Sequence, residues 1–351
     1  MKVALLAPTP PPRGGIAGWT VRMMNARLKD NWKVIVVDEK TSRASAYSPV
    51  SSISAEIKRC FRIWNGLKKV LQDNEVKIVH SCIPATTTAM LREYVCACIA
   101  KRRHRKFIIH FRCTVPNMVK SFSGKFMLKS LCAKSDFILI LNEQSSDFVK
   151  KFTKTPYRII PNFIEECEVI ENKIIKKELK TAIYVGGVIK EKGIMDLLQV
   201  ARRITDVTFR CFGNVSLEAK KSLETLKLNN VIFEGEKPRE IVRQALYEAD
   251  IFVFLTYFPG EGFSNALCEA MAAGLPCIVS NWAANADMIE DKGGFVVPIH
   301  DVEATVASLE NMRSHEIRQQ QSRFNISKVK RCYMESNVLD QYVDVYESLL
   351  E

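Results

Sequence analysis

Short β-branched runs alternate with longer helical patterns along almost the whole chain, and this alternation constrains the fold more than any other feature. The first half contains five such runs: KVALLA (2–7), KVIVVD (33–38), VKIVHS (76–81), KFIIHF (106–111) and DFILIL (136–141). The second half contains five more: TAIYVGG (181–187), VTFRCFG (207–213), NVIFEG (230–235), DIFVFL (250–255) and PCIVSN (276–281). Such alternation is typical of βαβ units, so the sequence predicts an α/β chain with two doubly wound parallel sheets in series.

The length of the chain also favours two domains. A chain of 351 residues with 47% hydrophobic content exceeds what one core usually organises. Residues 162–180 are charged and lack a clean period, which indicates a connection over the surface. Apolar residues at helical spacing in 327–350 predict a terminal helix that docks elsewhere. We therefore expect domains at 1–168 and 169–328, followed by a helix within 329–351.

Targeting and metal signals are weak in this sequence. The apolar run before the first prolines is too short for a signal peptide, and no later run approaches a membrane span, so we expect a cytoplasmic protein. The 11 cysteines contain no Cys-x-x-Cys pair and are interpreted as reduced packing residues. The five histidines lack the spacing of metal ligands, so no metal is expected.

Charge is distributed unevenly between the two halves. Residues 1–165 contain 29 Lys+Arg against 11 Asp+Glu, whereas residues 166–351 contain 22 against 28. The halves therefore face different partners. The basic half is typical of a surface that meets phosphate groups, in anionic lipid or in nucleic acid.

A glycine-rich turn follows the first predicted strand and resembles a dinucleotide-binding turn only superficially. Its glycines are Gly14, Gly15 and Gly18, a spacing different from G-x-G-x-x-G, and prolines lengthen a turn that must be tight. An NAD site is therefore not expected. Two alternatives stay open: the helix amides after Gly14 bind a ligand at the carboxyl edge of the sheet, or the glycines form only a surface turn.

The second half contains a loop suited to a diphosphate. In YVGGVIKEKGIMDLLQVA, Gly186 and Gly187 follow a strand, Lys190 and Lys192 come next, and Gly193 begins a periodic helix. Backbone amides and ammonium groups at one point are what a diphosphate requires. A solvated lysine pair is the plain alternative.

A second loop follows a strand of the same predicted sheet, in PGEGFSNALCEAMAAGLP (259–276). Ser264 is a candidate N-cap, and the amides after it form a helix N-terminus that favours a phosphate group. Glu261 precedes this cap and Glu269 lies in the second turn. Two carboxylates beside an anion site would repel the anion, unless the ligand combines a diphosphate with sugar hydroxyls that the carboxylates bind.

The run from Asn230 to Pro298 resembles the retaining nucleotide-sugar glycosyltransferases of family 4 (glycosyl transferases group 1), whose hallmark is Glu, seven residues, Glu, here Glu261 to Glu269. VGGVIKEKGIMDLL is similar to the family's strand, phosphate loop and helix, with Lys192 in the position of its diphosphate-binding lysine. Four weaker similarities are RGGIAGWT to its N-terminal glycine loop, IIHFRC to its cleft histidine segment, IIPNFIE to its interdomain connection, and the terminal helix.

The resemblance implies the GT-B fold, with two Rossmann-like domains facing a cleft and a C-terminal helix that crosses back to the first domain. It implies sugar transfer from a nucleotide diphosphate with retained configuration and without a cofactor. Glu261, His110 and Lys192 are the implied catalytic residues, although a lone histidine such as His110 is as often structural. The implied donor-binding residues are Gly15, Gly186, Gly187, Lys192, Glu261, Gly262, Phe263, Ser264, Asn265, Ala266 and Glu269.

The chain departs from the family at one position, because Gly187 stands where the family usually has an arginine. One diphosphate contact is therefore missing. Either Arg13 or Lys190 replaces it, or donor binding is weaker, since a charged hydrogen bond contributes about 1.5–3 kcal/mol.

The basic first half suggests where the acceptor comes from. EIKRCFRIWNGLKKVLQ (56–72) puts Ile57, Phe61, Trp64, Leu67 and Leu71 on one stripe with basic residues around it, and KSFSGKFMLKSLCAK (120–134) repeats the combination. We expect this surface to rest on anionic lipid at the inner face of the cytoplasmic membrane, with a lipid-linked saccharide acceptor of bacterial surface polysaccharide assembly. A non-catalytic sugar-nucleotide binder and an enzyme with a soluble acceptor are the alternatives. No nucleic-acid-binding module is apparent.

Overall fold

A computed structural model describes residues 1–11, 14–40 and 52–351. The chain divides into two compact units: Met1–Asn162 with Ser336–Glu351, and Phe163–Glu335. The predicted domain limits, 168 and 328, lie close in sequence to these boundaries. Arg13, a candidate replacement for the missing arginine, lies outside the described residues.

The first unit alternates strands and helices as predicted. Its strands are β1 Lys2–Ala7, β2 Lys33–Asp38, β3 Val76–Ile83, β4 Lys106–Phe111, β5 Phe137–Ile140 and β6 Tyr157–Ile159. Its helices are α1 Gly15–Asn25, α2 Ile53–Val70, α3 Thr87–Arg102, α4 Val115–Met118, α5 Phe122–Lys134 and α6 Glu143–Val149. The strands form one parallel sheet in the order β2-β1-β3-β4-β5-β6.

The two faces of this sheet differ in chemistry, because successive side chains of a strand point to opposite sides. One face is apolar, with Val79 and Ile109 packed in a core with α2, α3 and α5. The other face has His80, Cys82 and His110 at neighbouring positions of β3 and β4, all fully buried. Polar groups buried on this scale require hydrogen-bond partners, and they have them.

The last helix of the chain, Glu335–Ser348, belongs almost entirely to the first unit. Its Tyr346 Oη lies 2.7 Å from His80 Nδ1, and its Tyr342 packs against Trp19 of α1. The C-terminal segment therefore returns to the polar face of the first sheet.

The second unit repeats the architecture. Its strands are β7 Thr181–Val185, β8 Thr208–Phe212, β9 Val231–Gly235, β10 Ile251–Phe254, β11 Cys277–Ser280 and β12 Gly294–Val297. Its helices are α7 Ile194–Arg203, α8 Leu217–Leu226, α9 Arg239–Glu248, α10 Asn265–Ala272, α11 Asn285–Ile289, α12 Val302–Asn311 and α13 His315–Cys332, so the terminal helix is α14. The parallel strand order is β12-β11-β10-β7-β8-β9.

The predicted α/β class with two parallel sheets is confirmed. All ten predicted strands exist, and the described residues form two further strands, β6 and β12, that were not predicted. All 11 cysteines are free. Within the part of the chain that the structure describes, no helix has the length and apolar character needed to cross a bilayer.

Candidate functional site

Two loops meet at the carboxyl edge of the second sheet. β7 and β10 are hydrogen-bonded neighbours, and both end at this edge, which is where ligands bind in doubly wound sheets. The loop after β7 contains Gly186, Gly187 and Lys192, and the loop after β10 contains Glu261. The topology therefore brings together Lys192 and Glu261, which are 69 residues apart in the sequence.

The glycine loop after β7 is fixed by close backbone packing. Gly186 has a φ of 151°, and a Cβ at Gly213, after β8, would lie 1.9 Å from the Gly186 carbonyl oxygen. The buried Tyr184 hydroxyl donates to the Gly187 carbonyl oxygen at 2.6 Å. Sequence reasoning missed Tyr184, because a strand residue whose hydroxyl reaches forward three positions has no signature in the pattern.

The turn that contains Lys190 and Lys192 packs against the loop that follows β10. Lys190–Lys192 form a single 3₁₀ turn, which ends at Gly193 in the left-handed conformation with φ 80°. A Cβ at Gly193 would lie 2.1 Å from the Leu255 carbonyl oxygen, so only glycine permits this approach. The Tyr257 amide also donates to the Glu191 carbonyl oxygen at 2.9 Å. Lys192 is thus positioned by backbone contacts.

Lys192 and Glu261 form an ion pair with each other. Only 8% of Lys192 is exposed, and its ammonium also lies over the rings of Phe254 (5.5 Å) and Phe258 (5.0 Å). A charge this close to burial needs a partner, and here the partner is a carboxylate. The pair unites a group expected to bind diphosphate with one expected to bind sugar hydroxyls.

The Glu261 loop is supported from the next strand. The Glu261 amide donates to the Phe258 carbonyl oxygen at 3.0 Å, and the same oxygen accepts a bond from Trp282 Nε1 at 2.8 Å. The Ala284 amide donates to the Gly262 carbonyl oxygen at 3.2 Å. Trp282 follows β11 and was not singled out in the sequence, although its position directly after a strand of the same sheet was a usable signal.

Helix α10 begins as predicted, with Ser264 as its N-cap. The Ser264 hydroxyl accepts a hydrogen bond from the Leu267 amide at 3.2 Å. The amides of Asn265 and Ala266 come before Leu267 in the first turn of the helix. Phe263 is buried against Tyr333, with ring centroids 5.1 Å apart. The N-terminal turn is therefore held rigidly beside Glu261.

Glu269 is half-buried one turn further along α10. Burial alone would lower the pKa of Arg239, and the charges of Glu168, Glu269 and Glu165 together raise it. The carboxylate of Glu269 therefore interacts electrostatically with the guanidinium of Arg239. Its contact with a ribose diol stays a prediction.

His110 and Gly15 belong to the first unit. Gly15 is the exposed first residue of α1, whereas His110 is fully buried, with Nδ1 3.1 Å from His80 Nε2 and Nε2 3.2 Å from Arg112 Nη1. Arginine only donates, so His110 Nε2 accepts and its Nδ1–H donates to His80, whose own proton then lies on Nδ1 and faces Tyr346. The sugar-facing role of His110 stays a prediction.

Both of these histidines are neutral. Burial, followed by the charge of Arg112, lowers the pKa of His80 to about 3. The same causes, with His80 added, hold the pKa of His110 well below its ordinary value. The side chains of His80, Cys82 and His110 place three potential metal-ligand atoms within 4.8 Å of one another. His110 Nδ1 is the nitrogen that faces His80 and Cys82, whereas Arg112 donates to His110 Nε2. The expectation that no metal is bound stays a prediction.

The site geometry can be compared with known proteins. Residues 179–315 match the model of the family described as Glycosyl transferases group 1, and this stretch contains all the predicted donor-binding residues of the second unit. The capsular polysaccharide biosynthesis glycosyltransferase CapM of Staphylococcus aureus is 25% identical over 244 residues, which cover 66% of this chain and 60% of that protein. The chain spans less than two thirds of the first curated relatives it matches.

Solved structures show the fold across almost the whole chain. A sucrose-phosphate synthase from Thermosynechococcus elongatus matches with a TM-score of 0.82 at 15% identity, covering 99% of each chain. HepE of Anabaena, solved in complex with UDP, matches with a TM-score of 0.76 at 13% identity, covering 99% of this chain and 100% of that one. The fold is the GT-B fold that the motifs implied.

Proposed function

We propose that the protein is a retaining glycosyltransferase, a hexosyltransferase that moves a sugar from a nucleotide diphosphate to an acceptor hydroxyl. The observation that carries this proposal is the Lys192–Glu261 pair beside the N-terminus of α10, at the ligand-binding edge of the second sheet. The family match over residues 179–315 supports it.

The diphosphate of the donor would compete with Glu261 for Lys192. A diphosphate brings more negative charge than one carboxylate, and the α10 N-terminus adds roughly half a positive charge from its amides. Negative charge grows on the leaving diphosphate as the glycosidic bond breaks, so these groups stabilise the transition state more than the ground state. The protein itself would supply this stabilisation, with no cofactor.

Once Lys192 turns to the diphosphate, the Glu261 carboxylate becomes available to the hydroxyls of the donor sugar. A carboxylate accepts two hydrogen bonds in a plane, which matches a pair of neighbouring hydroxyls. Glu269 would bind the ribose diol of the nucleotide, and His110 would contact the sugar. Binding of the donor would thus replace the Lys192–Glu261 ion pair with separate contacts from the ligand to each of the two side chains.

Exposed apolar side chains of the first unit suggest the location of the acceptor. Ile53, Ile57 and Phe61 of α2 and Phe122 and Phe126 of α5 all point to solvent, with exposed fractions of 82% for Ile53 and 87% for Phe122. All five lie in the N-terminal half of their helix. In a parallel sheet with crossover helices, helix N-termini lie at the carboxyl edge of the strands, so these residues gather on the ligand-binding side.

Basic residues surround these apolar side chains. Lys58 and Arg62 on α2 and Lys125 and Lys129 on α5 are exposed, and the first 165 residues have an excess of 18 positive charges. Aromatic side chains among cations are typical of a surface that inserts shallowly into anionic lipid. We propose peripheral attachment to the inner face of the cytoplasmic membrane, and a lipid-linked saccharide acceptor of bacterial surface polysaccharide synthesis.

A second candidate function is a non-catalytic sugar-nucleotide binder. Gly187 favours it, because the missing arginine would remove one charged contact to the diphosphate. Lys190, in the exposed part of the same turn, is the described residue that could restore such a contact. A soluble acceptor is a third alternative, which membrane binding distinguishes.

The decisive experiment combines binding with turnover. A thermal-shift screen over nucleotide sugars identifies the donor, and release of nucleotide in the presence of membrane extract measures transfer. Lys192→Ala should abolish both, whereas Lys328→Ala, which removes another buried lysine paired with Glu290, should lower only stability. Donor binding without turnover would favour the binder, and unchanged activity of Lys192→Ala would remove Lys192 from the site.

A further inference from the structure

Arg112 is a buried cation without a carboxylate partner. It directly follows β4, only 6% of it is exposed, and no carboxylate among the described residues forms an ion pair with it. Its Nη1 donates to His110 Nε2 at 3.2 Å and its Nη2 to Asn162 Oδ1 at 2.5 Å, while its Nε–H has no hydrogen-bond partner. The guanidinium also lies over Trp19, 4.1 Å from the ring centroid. All of its partners are uncharged.

Two other buried arginines of this chain have more complete sets of acceptors. Arg92, equally buried, donates to Glu93 at 2.7 Å and to Glu39 at 2.8 Å. Arg318 is completely buried, and it donates to three main-chain carbonyl oxygens, those of Met312, Lys176 and Lys177. Arg112 lacks both kinds of compensation, and a buried charge without a counter-charge is unfavourable unless a ligand supplies one.

The surroundings of Arg112 carry an excess of positive potential. His80 and His110 are both neutral, and the charge of Arg112 is one cause of their lowered pKa values. Trp19 belongs to α1, which has no acidic residue in its first turn and no side-chain cap. Arg112 itself lies at the carboxyl edge of the first sheet, the edge where ligands of such sheets bind.

We infer that Arg112 is the anchor of an anion site in the first unit, and that its ligand is a phosphate group of a substrate. A guanidinium is planar and gives parallel hydrogen bonds to phosphate oxygens, which the unused Nε–H suits. The inference rests on the proposed function only for the source of the phosphate. That source is either the diphosphate of the donor or the phosphate of a lipid-linked acceptor, and the chemistry recognised is the same.

The test measures binding to Arg112→Gln by calorimetry with two kinds of probe. UDP and GDP represent the donor, and farnesyl phosphate represents a lipid-linked acceptor. We expect the affinity of at least one probe to fall about 10- to 100-fold, as loss of a charged hydrogen-bonded contact predicts, and the affected arm identifies the source. Arg105→Gln is the matched control: Arg105 lies at the opposite end of β4, contacts Asn74 and should leave both arms unchanged.

Stability distinguishes a binding role from a structural one. Arg112→Gln removes an uncompensated charge, so its Tm in phosphate-free buffer should equal or exceed that of the wild type. If it falls by more than about 4 °C, Arg112→Met, which has no polar group to bury, is measured as well. A similar fall in both variants means that the arginine stabilises the fold, and overturns the inference.

Binding outcomes separate this inference from the proposed function. Unchanged affinity of Arg112→Gln in both arms overturns the anion site, even if the wild type transfers sugar. Failure of the wild type to bind any of these probes overturns it too. Phosphate binding that depends on Arg112, in a protein that transfers no sugar, supports the anion site and contradicts the transferase.

Discussion

The carboxyl edges of the two sheets handle charge in opposite ways. In the second unit the buried lysine after β7, Lys192, is paired with Glu261, so the pair carries no net charge. In the first unit the buried arginine that follows β4, Arg112, has only uncharged partners. The two edges therefore differ in what a ligand must do. At Lys192 an anionic ligand must displace the Glu261 carboxylate, whereas at Arg112 it would bring the counter-charge itself.

The largest expected effect is the loss of sugar transfer when the Lys192–Glu261 ion pair is broken. Lys192→Ala and Glu261→Ala should each lower kcat/KM by at least about 100-fold, because the proposed function assigns each group to the reacting part of the donor. Steady-state nucleotide release measures this. Glu234→Gln, which breaks the Arg210–Glu234 pair elsewhere in the second unit, serves as the control and should leave kcat/KM nearly unchanged. A double variant no worse than either single one would sharpen the comparison, since the pair would then act as a unit.

The second prediction compares two arginines of the first unit. Arg92→Gln leaves the buried carboxylates of Glu39 and Glu93 without their cation and should cost about 3–5 kcal/mol of unfolding free energy. Arg112→Gln should cost none. Urea denaturation measures both. Equal losses would break the comparison, because Arg112 would then be as fully compensated as Arg92.

The third prediction concerns pH. The folded-state pKa values of His80 and His110 lie below the unfolded value, so the unfolded chain binds protons that the folded chain does not. Stability is therefore complete above about pH 6.5 and falls as the pH drops towards 3, and His80 alone accounts for a loss of about 2 kcal/mol at pH 5. His80→Gln should flatten the pH dependence of urea unfolding between pH 7 and 5.

The exposed His104 provides the control for this titration. His104→Gln lies in the same unit but outside the buried chain of histidines, so the slope should not change. A slope that is identical in the wild type, His80→Gln and His104→Gln would mean that the buried histidines do not control the acid sensitivity of the protein.

The smallest effect of a single substitution is expected at the membrane surface. Phe122→Ser and Phe126→Ser should each weaken co-sedimentation with anionic vesicles about tenfold, as expected for an aromatic side chain that leaves lipid. Neutralising Lys58, Arg62, Lys125 and Lys129, which surround these apolar side chains, should weaken it most at low salt, since each contributes about 1 kcal/mol there. Leu217→Ser removes an exposed apolar residue of the second unit and should have no effect. Unchanged binding of the first-unit variants would place the lipid surface elsewhere.

The sequence predicted the fold and the main grouping of the site because both depend on local patterns. Strand runs and the residues that follow them are visible in one dimension, so Lys192 and Glu261 could be assigned to the same edge. Tyr184 and Trp282 could not, because their hydrogen bonds to loop carbonyls depend on how neighbouring segments pack. The charge balance around Arg112 was hidden for the same reason.

The amphipathic stripe of α2 shows another limit of sequence patterns. Ile57, Phe61, Leu67 and Leu71 share one helical spacing, yet Leu67 and Leu71 are buried while Ile57 and Phe61 are exposed. Periodicity identifies a face of a helix, but it does not reveal where along the helix the sheet ceases to cover that face. The stripe therefore has a packing half and a solvent-facing half.

The return of α14 to the first unit has a consequence for synthesis on the ribosome. Tyr342 and Tyr346 complete the polar face of the first sheet, but they are translated only after the entire second unit. Domains usually fold as they emerge, N-terminal part first. The nascent first unit therefore lacks the tyrosine partner of His80 until Tyr346 has been synthesised.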